Sequence, residues 1–204
     1  MRKVIVSNNV TLDGRVDEVR DWAIPGDDAE FVKHHTDLLS HSDGLLLGRK
    51  SYEFFAAVWP SRSGEFPDRM NSIAKYVPST TLKDLEWGNS HLIDRDVPEA
   101  VAKLKQQPGQ DLVVYGSHDL VQSLLEHDLI DEFQLWVHPV VLGKGRSLFK
   151  DGVERMALDL VDATVIPLGV AILTYQSQCP LSDGEPFSVA ALVQRTWVHS
   201  RSRD

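Results

Sequence analysis

Hydrophobic positions along the chain fall into short apolar runs separated by longer stretches with helical spacing. Residues 4–7 form a first apolar run that predicts a buried strand, and Asp13-Gly14 behind it signals a turn. A loop holding Trp22 and Pro25-Gly26 leads to a predicted helix over residues 28–41, whose apolar face carries Phe31, Leu38 and Leu39. Asp27, with Glu30 three positions later, makes a capping-box-like start to that helix. Residues 45–47, three leucines bounded by Gly44 and Gly48, predict a second buried strand. The next helix carries Tyr52, Phe55 and Trp59 and stops near Pro60, and the polar residues 61–67 predict an exposed loop.

Residues 74–77 and 91–93 predict two short strands, and between them and the next strand Asp96 caps a helix that ends at Pro108-Gly109. Residues 111–115 predict a strand, 117–127 a helix, and 131–138 a strand with alternating Phe133, Leu135 and Val137. Residues 157–166 and 169–177 close the pattern as an antiparallel hairpin turned around Pro167-Leu168-Gly169. Strand–helix alternation that ends in a hairpin predicts an α/β fold with a mostly parallel central sheet and antiparallel strands at one edge. Residues 180–186 are rich in Pro, Ser, Asp and Gly. The expected organisation is therefore one main domain over residues 1–177 and a partly flexible C-terminal extension over 178–204.

Two places in this pattern carry chemistry. At the first, the leucine strand stops at Gly48 and a helix begins at once with Arg49, Lys50 and Ser51. That puts free backbone N–H groups, two cations and a hydroxyl at one point, where a phosphate would sit. At the second, Leu112-Val-Val-Tyr115 ends at Gly116, and Ser117 opens a helix. Two strand–glycine–helix junctions suggest a cleft for a ligand with more than one phosphate. The other reading of Arg49 and Lys50 is a solvated first helical turn, but cations are unfavourable there unless an anion is present.

Composition narrows the classes. The 204-residue chain is 42% hydrophobic and 25% charged, as a globular protein is. A formal charge of −9 argues against nucleic acid held by a general basic surface, while local basic spots leave room for a small anionic ligand. Cys179 is the single cysteine, so neither an intramolecular disulfide nor a thiolate metal site can form. His34-His35, His118, His127 and His138 lie on different elements without ligand spacing, and no metal is expected. The apolar run after Met1-Arg-Lys is too short for a signal peptide, and no stretch reaches the roughly 20 apolar residues of a membrane span. The expected location is the cytoplasm, with no membrane partner.

The ordered motifs resemble the dihydrofolate-reductase-like superfamily, and within it the branch of the reductase domain of the bifunctional riboflavin-biosynthesis deaminase/reductase. The pieces that carry the resemblance are residues 7–14 ending Thr-Leu-Asp-Gly, Leu45-Leu-Leu-Gly-Arg-Lys-Ser-Tyr-Glu53, and Tyr76-Val-Pro-Ser-Thr-Thr-Leu82. Val114-Tyr-Gly-Ser117, Leu129-Ile-Asp-Glu-Phe133 and Pro139-Val-Val-Leu-Gly-Lys-Gly145 follow in order. The likeness covers residues 2–177. It implies a three-layer fold with helices on both faces of the sheet, and NADPH as cofactor. By that resemblance Gly48, Arg49, Lys50 and Ser51 hold cofactor phosphates, Arg49 facing the adenosine 2′-phosphate. Ser79 and Thr80 lie along the adenosine, and Gly116 and Ser117 form the second phosphate turn.

The resemblance also implies that Asp27 holds the reducible ring of the substrate, although a helix cap accounts for the same residue. Trp22 and Tyr115 would wall the substrate pocket, a core aromatic being the alternative for each. The function implied is an NADPH-dependent reductase that moves hydride to a small heterocyclic or ribosyl-pyrimidine substrate, acting as a homodimer. A non-catalytic NADP(H)-binding regulatory or structural dimer is the alternative. Trp136 is either an interface aromatic or core. The chain departs from the riboflavin enzymes in its Gly-Arg-Lys-Ser sequence, the form seen in folate reductases. It also lacks any His-x-Glu with a Pro-Cys-x-x-Cys partner, so it holds no zinc-deaminase signature.

Overall fold

The first strand runs beyond its apolar stretch. In a computed structural model that describes residues 1–23, 29–153 and 155–177, β1 spans Val4–Thr11. Its residues 4–7 pair in parallel with Asp111–Tyr115 (β5 in chain order), and it continues through Asn8 and Asn9 to Thr11 because its other edge stays paired in parallel with Glu132–His138 (β6). The remaining strands are β2 (Ser42–Leu46), β3 (Ala74–Pro78), β4 (Ser90–Ile93), β7 (Leu158–Ile166) and β8 (Val170–Ser177). All eight join one sheet in the order β4-β3-β2-β5-β1-β6-β8-β7, parallel except where β8 pairs with β6 and β7. The mostly parallel sheet with an antiparallel C-terminal hairpin is thus as the strand–helix pattern requires.

The helices are α1 (Val19–Trp22), α2 (Ala29–Ser40), α3 (Arg49–Val58), α4 (Glu65–Ser72), α5 (Val97–Gln106) and α6 (His118–Leu125). Side chains that alternate along a strand go to opposite faces of the sheet. Leu46, Leu112 and Val114 therefore join Val4 and Val6 in a core covered by Val101 and Leu104 of α5 and Leu120, Val121 and Leu124 of α6. Leu45, Leu47, Val113 and Tyr115 point the other way, to Leu39 of α2, Tyr52 of α3 and Met70 of α4. Strands buried on both faces read as unbroken apolar runs, which is why the leucine triplet could be recognised.

Three expectations need correction. Residues 65–72 form α4, where a loop was expected over 61–67. Its Pro67 falls in the first turn, where no intrahelical N–H is needed, and Met70 is its only buried residue, too little to make a periodic signal. Trp136 is fully buried inside the chain against Phe31, with 4.7 Å between ring centroids, and its indole N–H donates to Ser7 Oγ at 3.2 Å. It is core, and the interface reading is set aside. The helix expected over 117–127 is shorter, with Ser117 as its N-cap in a left-handed conformation.

The amino end of β1 is anchored by buried cations. Lys105, 5% exposed, donates to Asp131 Oδ2 at 2.6 Å and to the Leu129 carbonyl at 3.1 Å. The same carboxylate oxygen accepts from the Val4 N–H at 2.7 Å. Arg2 is held by Asp43 and by the Gln110 carbonyl. Replacing Asp131 with alanine leaves the Lys105 ammonium with the Leu129 carbonyl but without its carboxylate, and the Val4 amide without its side-chain acceptor. Asp131→Ala is expected to lower the free energy of unfolding by about 2–3 kcal/mol. Urea denaturation at neutral pH measures it, and a loss below about 0.5 kcal/mol would mean that water replaces the carboxylate.

Candidate active site

β2 and β5 are neighbours, yet the chain leaves them in opposite directions. From β2 it passes through α3 to β3 toward one edge, and from β5 through α6 to β6 toward the other. Parallel crossovers are right-handed, so α3 and α6 cover opposite faces and a crevice opens where the two strands end. The structure has a cavity of about 1270 Å³ at this place, reached by both junctions and by the end of β1.

The two junctions are bonded to each other. The Gly48 N–H donates to Ser117 Oγ at 2.8 Å, and that hydroxyl lies 2.8 Å from Ser51 Oγ and 3.1 Å from the Tyr115 carbonyl. Gly116 and Ser117 are both left-handed, with φ of 60° and 58°. A Cβ on Gly116 would stand 3.3 Å from Ser51 Oγ, and one on Gly48 would stand 3.4 Å from Ser117 Cβ. At 116 the left-handed backbone and the close hydroxyl favour glycine, whereas a Cβ at 48 would make only an ordinary contact. Gly48, Arg49, Lys50, Ser51, Tyr115, Gly116 and Ser117 all border that cavity.

Other expected site residues lie elsewhere. Ser79 and Thr80 are outside the cavity lining, and Ser79 Oγ accepts from the N–H groups of Thr81 and Leu82 as a local turn. The turn still approaches the junction through Thr81, whose Oγ1 accepts from Arg49 Nη1 at 3.3 Å. Trp22 is also outside the lining; its indole N–H donates to the Asp17 carbonyl at 2.6 Å and its ring meets His138 edge-on at 5.3 Å. Asp27 lies outside the described residues.

Beyond the junctions the cavity is walled by Phe31, Phe55, Trp59 and Phe66, with His35 and Tyr115 among them. His35 is 6% exposed and stacks on Trp136 with 4.3 Å between centroids and 10° between planes. Its Nδ1 is 3.1 Å from the Tyr115 hydroxyl. Burial among these rings pushes the imidazole pKa down to about 3, with the neighbouring His34 adding to the effect, and pushes the Tyr115 phenol far up. Both groups are uncharged at neutral pH. The sequence offered no role for His35 beyond a rejected metal ligand. Its helical spacing from Phe31 and Leu39 on the buried face of α2 was the available signal.

The loop after β1 is clamped to the loop after β6. Asp13 accepts from the N–H groups of Leu142 and Gly143 and from Thr11 Oγ1, which hold its carboxyl well below the ordinary range. Burial would raise the pKa of Asp17, but the backbone and guanidinium hydrogen bonds of Arg146 outweigh that and lower it. On the other side of α1, the Arg20 guanidinium sits 4.1 Å over the Phe54 ring, and both residues border the cavity.

Fold and site together define an α/β protein with a cleft at the switch point of a mostly parallel sheet. The chain belongs to the RibD C-terminal domain family, whose model matches residues 2–172. It is 36% identical over 185 residues to the uncharacterized protein YyaP of Bacillus subtilis, covering 85% of this chain and 94% of that protein. A second uncharacterized protein of the same organism, YwjB, is 29% identical over 162 residues, covering 78% and 89%. The fold is shared with a putative riboflavin biosynthesis protein from Shewanella (TM-score 0.67, 22% identity, 87% of this chain and 99% of that one). It is shared too with a pyrimidine reductase-like protein from Corynebacterium diphtheriae (TM-score 0.61, 11% identity, 87% and 92%).

A buried neutral imidazole has a consequence for stability. Folding depresses the His35 pKa from 6.5 to about 3, so between those values the unfolded chain binds the extra proton. The contribution of His35 to stability therefore falls as pH drops below about 6.5. His35→Phe is expected to remove about 2 kcal/mol of the stability lost between pH 6.5 and 4.5. Urea midpoints across that window measure it, and parallel curves for variant and wild type would show that the imidazole is protonated in the folded state.

Proposed function

We propose that this protein is an NADPH-dependent reductase acting on a small heterocyclic substrate of the pyrimidine type. The observation that carries the reading is the joined pair of junctions, in which Gly48, Ser51, Gly116 and Ser117 form an open cradle beside Arg49 and Lys50. A Cβ at Gly116 would stand 3.3 Å from Ser51 Oγ within that cradle, and its absence suits close approach of an anion to the backbone. Membership of the RibD C-terminal domain family supports an oxidoreductase, and the printed names of the two structural neighbours fit a riboflavin-type or pyrimidine substrate.

In this reading the backbone N–H groups at the start of α3 and the hydroxyls of Ser51 and Ser117 hold the pyrophosphate. Arg49, whose guanidinium can make two bonds to one phosphate, meets the 2′-phosphate that distinguishes NADPH from NADH. NADPH supplies hydride when bound. The aromatic walls hold the acceptor ring, exclude water from it and fix its face toward the cofactor side of the cavity. Reduction of this kind asks little of titratable side chains, which accords with an aromatic half built from neutral groups.

Titration with NADPH and NADH tests the reading. The wild type is expected to prefer NADPH, and Arg49→Ala to weaken NADPH about tenfold while leaving NADH within about twofold. Tryptophan fluorescence reports binding, and loss of NADPH absorbance with dihydrofolate or the riboflavin-pathway pyrimidine reports turnover. Binding without turnover of any such ring would favour a regulatory NADP(H)-binding protein. Absence of nucleotide binding would remove the cofactor assignment.

A further inference from the structure

The last three strands of the sheet carry apolar side chains in matched rows on one face. Residues paired across neighbouring strands project from the same side of a sheet. Phe133 of β6 is paired with Tyr175 of β8, which is paired in turn with Leu160 of β7. The next rows on that side are Leu135 with Leu173 and Ala163, then Val137 with Ala171 and Val165. The β6 members join the core shared with α5 and α6. Among the described residues the β7 members are left open: Leu160 is 53% exposed, Val165 is 74% exposed, and Ala163 is exposed too.

The opposite face of the same strands is finished differently. Trp136, Ile166, Val170 and Ile172 are buried there against Phe31, and the other rows are polar, such as Gln134 with Thr174 and Asp162. A sheet face that meets water is normally polar, so an open apolar grid is the pattern of a face that something covers. β7 is also the last strand in the sheet order, and a long open edge strand is a second feature that proteins cover.

The chain continues from this spot. β8 ends at Ser177, paired with Leu158 at the start of β7, and residues 178–204 lie outside the described residues. Residues 178–186 contain Pro180, Gly184 and Pro186 and can span at most about 30 Å. The far row of the grid, at Ala171, is about 20 Å back along β8 and so within reach. Next comes Phe187-Ser-Val-Ala-Ala-Leu-Val-Gln-Arg-Thr-Trp-Val198. Val189, Leu192, Val193 and Trp197 fall at helical spacing, with Ser188, Gln194 and Arg195 on the opposite side. At helical rise this stretch is about 18 Å long, enough to cross all three rows. Charge points the same way. The charged residues from 187 to 203 are Arg195, Arg201 and Arg203, whereas the hairpin over 156–177 has Asp159 and Asp162 and no Lys or Arg.

We propose that residues 187–198 cover the apolar face of β6, β8 and β7 within the same chain, laying Val189, Leu192, Val193 and Trp197 on Leu160, Ala163, Val165 and Leu173. The inference is independent of the nucleotide reading, because this face lies outside the cavity lining. Hydrogen exchange of the full chain, read by mass spectrometry, tests it. Amides of 187–198 are expected to exchange at least about tenfold more slowly than in an unstructured peptide of that sequence. That protection should survive about hundredfold dilution, since docking within one chain does not depend on concentration.

Val165→Asp puts a charge at a position that is open unless 187–198 covers it. It is expected to speed exchange in 187–198 at least about fivefold with sedimentation mass unchanged. Leu192→Asp is expected to do the same and to speed exchange in β7. Residues 112–115, in the middle of the sheet, should keep the wild-type rate in both variants, a readout that general loss of structure would move. Should Val165→Asp fail to fold, Leu192→Asp carries the test alone. Unprotected amides over 187–198 in the wild type, or protection that neither variant changes, would overturn the proposal. Protection lost on dilution, or a mass that falls in Val165→Asp, would overturn it as well and assign the face to a second copy.

Discussion

The hydrogen bond from the Gly48 N–H to Ser117 Oγ ties together the ends of β2 and β5, the two strands between which the chain changes direction. Every candidate binding group is placed relative to that link. Its cost is visible at the helix starts. Ser117 is the N-cap of α6 but makes no side-chain capping bond, because its hydroxyl is directed across the junction. α3 starts at Gly48, which has no side chain to cap with, and its first turn has no acidic residue. By contrast α5 has a side-chain cap, with Asp96 Oδ1 accepting from the Glu99 N–H at 3.3 Å. Stability that a capping side chain would add is forgone at α3 and α6, as it is at α1 and α4, and the first-turn N–H groups at the two junctions stay available to an anion.

The same switch point divides the cavity electrically. On the junction side, free helix N–H groups and the Arg49 and Lys50 cations create a positive region on a chain whose formal charge is −9. On the far side, burial keeps the titratable pair His35 and Tyr115 uncharged, while the exposed Arg62 guanidinium lies 5.3 Å from the Trp59 ring centroid. His35 is held neutral between Trp136 and Phe31, and Tyr115 is held protonated beside it. Low polarity strengthens whatever hydrogen bonds a ligand makes there and penalises any charge it brings. A ligand with an ionic tail and a neutral ring is complementary to both regions, and a ligand of one character only is complementary to half. The clamp of Asp13 and Asp17 to the opposite loop steadies α1, which closes one side of this space.

Most of the fold was legible because parallel strands buried on both faces leave a plain mark. Asp111–Tyr115 and the closing hairpin lie within a residue of their expected places, and the strand expected over 45–47 starts three residues earlier, at Ser42, and ends at Leu46. Gly116 was legible for a different reason: glycine best suits a left-handed backbone with the Ser51 hydroxyl close beside it. α4 was not, since a helix held by one buried Met70 and by Arg69 bonds to the Leu39 and Ser42 carbonyls has no periodicity to read. The aromatic half was legible in composition only. Spacing along α2 could put His35 on the inner face, but that it would stack on Trp136 depends on β6, a hundred residues away in sequence. Polar residues at the end of β1 gave no strand signal because they border the cavity and the β6 ladder instead of a core.

Arg49 illustrates how a residue's position can argue for a ligand. A cation in the first turn of a helix opposes the helix dipole. Its nearest carboxylate is Glu53, one turn on, at 4.0 Å, and both side chains are about half exposed, so that pair contributes at most a few tenths of a kcal/mol. Its other contact is the Thr81 hydroxyl, a neutral acceptor at 3.3 Å. Neither compensates the unfavourable placement, and Lys50 beside it adds a second positive charge. The arrangement becomes favourable when an anion sits between the guanidinium and the helix N–H groups, because one negative charge then satisfies the dipole and the side chain together. The electrostatics of this turn thus favour an anion at the junction, and the proposed phosphate site rests on that placement.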